Sequence, residues 1–76
     1  MRSTEIAIRE IRPTREMLGL AKRQTNDFVI IETGRVVVML NHDVGWRAFE
    51  KPTYNRRHAF FSALTLSREA YASIAD

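Results

Sequence analysis

Two short apolar runs constrain the fold of this chain more than any other feature. Phe28-Val29-Ile30-Ile31 and Val36-Val37-Val38-Met39-Leu40 are apolar at all nine positions, and only Glu32-Thr33-Gly34-Arg35 separates them. β-Branched and aromatic runs around a short glycine-bearing loop predict an antiparallel hairpin. Gly34 supplies the positive φ that a type I turn with a bulge requires. A hairpin with one wet face alternates apolar and polar residues, and this one does not, so both of its faces must be covered. The helices in so short a chain are expected to cover one face, and a second copy or a partner the other. The competing reading is that helices of the same chain wrap both faces.

The remaining elements follow from local signals. Ile6 and Ile8 alternate with Ala7 and Arg9 as in a first strand, against a competing helix turn with Ile8 and Ile11 three apart, and Pro13 ends either element. Thr14 is placed to cap a helix over residues 15–24, with Lys22 and Arg23 in its last turn, where positive charge suits the helix dipole. Asn41 to Gly45 reads as a turn. Trp46 to Glu50 reads as a third hairpin strand, with Trp46 and Ala48 on one face and Arg47 and Phe49 on the other. Thr53 is expected to cap a helix from Tyr54 to about Leu64, packed through Tyr54, His58, Phe61 and Leu64. A last helix, Arg68 to Ala75, follows a Ser67 cap and packs through Ala70, Tyr71 and Ile74. The expected fold class is α+β. It is a small single domain over residues 1–76, with a central antiparallel hairpin, two to four strands in all, and two or three short helices packed on the sheet.

Composition narrows the function. The chain has 76 residues and no cysteine, which excludes disulfides and thiolate metal sites. A core this small gains from oligomerisation or a partner. Net charge is +3, with +3 in residues 1–25, −2 in 26–50 and +2 in 51–76. That balance permits nucleic-acid or acidic protein partners without demanding either. Met1-Arg2-Ser3-Thr4-Glu5 carries no secretory signal, and the longest unbroken apolar run, Val36 to Leu40, is far short of a membrane span, so a cytoplasmic protein with no membrane partner is expected.

No catalytic constellation stands out. His42 and His58 are the only side chains that titrate near neutrality. His42 and Asp43 read as turn chemistry, and His58 as a packing residue. The glycines Gly19, Gly34 and Gly45 are isolated, so no phosphate-binding loop exists. Neither a cofactor nor a metal site is expected, and the chain reads as no enzyme.

Binding is the better reading. Trp46, Arg47, Phe49, Tyr54, Arg56 and Arg57 are the residue types that dominate interface energies, and they cluster in sequence. They are the candidate contacts of a small inhibitor or adaptor that occupies a surface of a protein complex, a nucleic-acid-processing one among the candidates. This profile is similar, as a class, to that of phage-encoded inhibitors of bacterial defence systems, anti-CRISPR proteins among them, with no shared residue motif. The alternative is direct DNA or RNA binding through Arg15, Lys22, Arg23, Arg56 and Arg57. A homodimer is expected, with Val36, Val37 and Val38 near its interface.

Overall fold

The computed structural model describes residues 8–53 and 55–75. Tyr54 and the first-strand positions before Ile8 lie outside them. In chain order the elements are β1 (Arg9–Ile11), α1 (Arg15–Ala21), β2 (Phe28–Glu32), β3 (Arg35–His42), β4 (Gly45–Pro52) and α2 (Arg56–Ala75). The four strands form one antiparallel sheet in the order β1-β4-β3-β2, so the protein is a small α+β domain as expected. Among the described residues, no helix is long and apolar enough to cross a membrane.

The two apolar runs pair as β2 and β3, with Ile31 opposite Val36 and Glu32 opposite Arg35. The loop is Thr33-Gly34 and the register runs unbroken, so the expected bulge is absent; Gly34 alone carries the positive φ, 93°. Asn41 and His42 extend β3 rather than forming a turn, and the tight connection falls on Asp43-Val44, followed by Gly45 at φ 122°.

Five consecutive β3 residues, Val36 to Leu40, are buried, and their side chains alternate between two cores. Val36, Val38 and Leu40 pack with Phe49 against Ala59, Leu66 and Ala70 of α2. Val37 and Met39 pack with Ala48 against Met17 and Ala21 of α1. One chain therefore covers both faces of its central strand. Val36, Val37 and Val38, expected near a dimer interface, are core residues of a single chain, no more than 2% exposed. On the second face the seven-residue α1 is joined by Ile11, Phe28, Ile30 and Trp46, which pack against the same cluster.

Both helices depart from their expected bounds. The Thr14 hydroxyl accepts from the Met17 N–H, at 3.1 Å, and caps α1 as anticipated. The helix then stops at Ala21, because its last turn tightens to three-residue bonds from Arg23 to Leu20 and Gln24 to Ala21. Lys22 and Arg23 thus lie beyond the last turn. At the C-terminal end one helix of 20 residues replaces the expected two. Asn55, not Thr53, caps it, with Oδ1 accepting from the His58 N–H at 3.0 Å. Leu64-Thr65-Leu66, which alternates like a strand, is helical, and the Thr65 hydroxyl donates back to the Phe61 carbonyl.

Candidate interaction surface

α2 is built with its small residues inward. Ala59, Ala63, Leu66, Ala70 and Ile74 recur at helical spacing and face the sheet, where alanines let the helix lie close to the valines of β3. The bulky residues face outward. Phe60, Phe61, Leu64 and Tyr71 are 60%, 65%, 56% and 52% exposed. Phe61, Leu64 and Tyr71 were expected to pack inward; the structure turns all three to solvent. His58 is exposed as well.

Two adjoining strips result. Phe60, Leu64 and Tyr71 lie on the flank of α2 that faces β2. The Tyr71 hydroxyl donates to Asp27, whose other oxygen accepts from the Asn41 backbone N–H at 2.7 Å, which pins this flank beside the start of β2. At the opposite end, Phe60 and Arg56 line a groove of about 330 Å³ with Ile31. The second strip is the outer crest of the helix, Arg57, Phe61, Leu64 and Arg68, spaced four, three and four residues apart. Phe61 stands edge-on to Phe60, with ring centres 5.7 Å apart. Among the described residues, Arg56, Arg57 and Arg68 form no ion pair.

The other expected contact residues are dispersed. Phe49 is in the core, 1% exposed, because its position on β4 points at α2. Trp46 is half-buried on the opposite face, edge-on to Phe28 at 6.1 Å. Arg47 is committed to Glu10 through two bonds of 2.8 Å, and its guanidinium lies 5.4 Å from the Phe49 ring centre. That fork holds the Glu10 carboxyl below the usual carboxylate range. Among the described residues of the expected set, which leave out Tyr54, Arg56 and Arg57 alone sit at the exposed apolar surface.

The basic residues of the nucleic-acid alternative do not form one patch. Arg15, Lys22 and Arg23 belong to α1 and its end, on one side of the sheet, and Arg56 and Arg57 to α2 on the other. The histidines are also apart. His42 ends β3 beyond the Tyr71 end of α2, and His58 is in the first turn of that helix. The Nδ1 atom of His42 is buried with no hydrogen-bond partner among the described residues. Among the described residues, no group of three His, Asp or Glu side chains could hold a metal ion.

The buried charges serve the sheet. Glu50 accepts from Arg9 at 2.8 and 2.6 Å and from Arg35 at 3.2 Å, which ties together β1, β4 and β3. Lys51, on the other face, reaches Glu69 of α2 at 3.3 Å. With the Glu10–Arg47 and Glu32–Arg35 pairs, these leave Glu16, Asp27 and Asp43 against seven Lys and Arg outside ion pairs among the described residues, so the remaining surface charge is positive. Comparison of the chain with protein-family models, with curated proteins and with solved structures finds no match.

Proposed function

We propose that the protein is a non-enzymatic inhibitor or adaptor that binds another protein through the outer crest of α2. One observation carries this reading: α2 spends alanines on its own core and presents Phe60, Phe61, Leu64 and Tyr71 to solvent. A contiguous apolar strip with a basic rim is the usual mark of an interaction site. Phe61 and Leu64 form its apolar centre. Arg57 and Arg68 bracket them about 17 Å apart along the axis, at 1.5 Å per residue. Two copies of this crest brought together would oppose arginine to arginine. The complementary partner has an apolar spot between carboxylates, such as an acidic protein surface that otherwise receives nucleic acid.

The test is affinity capture from host lysate, split into nuclease-treated and untreated halves, with the native chain, Phe61→Ser and the double variant Arg57→Glu/Arg68→Glu. The reading expects discrete proteins that survive nuclease and are lost from both variants, with melting behaviour unchanged. Proteins that vanish on digestion, with nucleic acid co-purifying, would overturn it in favour of direct nucleic-acid binding. Salt dependence separates the two again, because phosphate contacts weaken steeply with ionic strength.

A further inference from the structure

We propose that β2 pairs with β2 of a second copy of this chain, antiparallel and centred on Ile30, so that two four-stranded sheets join into one of eight. It uses the strand edge and the flank of α2 beside it, and of the crest residues in the proposed binding role it involves Leu64 alone.

The two edges of the sheet are treated differently. β1 is three residues long, and its Arg9 and Glu10 are held by ion pairs to Glu50 and Arg47, devices that blunt an edge. β2 is five residues long, apolar from Phe28 to Ile31, with no proline, lysine or bulge. Its backbone is ready for another strand. Glu32 and Arg35 flank the two-residue loop, and the Thr53 N–H donates to the Gly34 carbonyl, which fixes the hydrogen-bonding phase of the whole sheet. In that phase Phe28, Ile30 and Glu32 bond to β3, and the N–H and C=O groups of Val29 and Ile31 point away from the sheet.

A two-fold axis normal to the sheet at Ile30 puts Val29 of each copy opposite Ile31 of the other, so four outward groups on each strand meet their complements. Every central pair is then apolar: Val29 with Ile31 on the α2 side and Ile30 with Ile30 on the α1 side. The axis also keeps both α2 helices on one face, with Phe60, Leu64 and Tyr71 turned towards their counterparts. On the other face Leu20 and Ile30 line the groove of about 520 Å³ between α1 and β2. Of the eight large apolar residues exposed in the described chain, six border this edge: Leu20, Val29, Ile31, Phe60, Leu64 and Tyr71. Their burial would remove on the order of 600 Å² per copy before backbone is counted, against about 800 Å² per partner in a standard stable interface.

The experiment measures particle mass by light scattering at micromolar concentrations, with amide exchange read residue by residue. The expected result is two chains per particle and slow exchange at Val29 and Ile31. Val29→Pro removes one outward N–H and leaves the bonds to β3, so it should halve the particle mass with the circular dichroism unchanged. Phe60→Glu, at an exposed position beside Ile31 and outside the crest, should do the same, and it decides the matter if the proline variant misfolds. One chain per particle at high micromolar concentration, loop-like exchange at Val29 and Ile31, or dimers that persist in a folded Val29→Pro would each overturn the inference. A monomer would leave the edge to an extended segment of another protein. The capture experiment reads the crest separately, because its variants change Phe61, Arg57 and Arg68, none of which the paired edge uses.

Discussion

At the scale of single residues, Glu50 holds the most. It is nearly buried and receives two arginines from two different strands, one of them directly across the β1–β4 pair. Both arginines keep solvent contact, which screens the pairs, so Glu50→Gln is expected to cost about 1–3 kcal/mol, the range for a charge-assisted hydrogen bond. Urea unfolding of the two proteins measures it. The Glu10–Arg47 fork makes a second prediction, on pH. Because Arg47 lowers the folded-state pKa of Glu10, its stabilisation is full at neutral pH. It shrinks as the pH falls below the ordinary glutamate value of 4.5, and it is gone below the folded value. Glu10→Gln should therefore melt below the native protein at pH 7, and the gap should close towards pH 3.

At the scale of elements, the helix with inward alanines is the feature to test. Ala70→Leu exchanges one apolar residue for another, yet it should destabilise by about 1–3 kcal/mol because β3 leaves no room beneath the helix. Leu66→Ala should cost about 2–5 kcal/mol through the cavity it opens. Phe61→Ser, one turn away but facing solvent, should leave the melting temperature where it is. These three variants also mark what the sequence makes legible. The hairpin is readable because its nine positions are all apolar, six of them valine or isoleucine, around a glycine-bearing loop, although only β3 turns out buried on both sides. The Thr14 cap and the third strand from Trp46 are readable for similarly local reasons. α2 is not, because Ser67 and the alternating Leu64-Thr65-Leu66 imitate a break that tertiary packing overrides. Its orientation misleads further, since the largest apolar residues are ordinarily the buried ones. Arg56 and Arg57 could be placed on the surface from residue type alone. Phe61 and Leu64 could not, because the choice between core and surface is made by how closely the helix approaches the sheet.

At the scale of the whole molecule, the core consists of two thin layers that share the two central strands, β4 giving Phe49 to one and Ala48 to the other. Val36, Val38 and Leu40 serve one layer, and Val37 and Met39 the other. The layers cannot unfold separately, because loss of β3 empties both, so a single cooperative transition is expected by calorimetry. If the β2 edges associate, the midpoint of that transition should rise with protein concentration, since assembly stabilises only the folded chain. A midpoint that stays fixed over a hundredfold concentration range would speak against association.

The division of labour along α2 has a consequence for how such a protein changes over time. The positions that hold the helix to the sheet, Ala59, Ala63, Leu66, Ala70 and Ile74 with the Tyr71 hydroxyl, share no residue with the rest of the outward face, Arg57, Phe60, Phe61, Leu64 and Arg68. Substitutions on the outer face are therefore nearly neutral for folding. A lineage under pressure to follow an altered partner, or to take a new one, can rewrite that face step by step while every intermediate still folds.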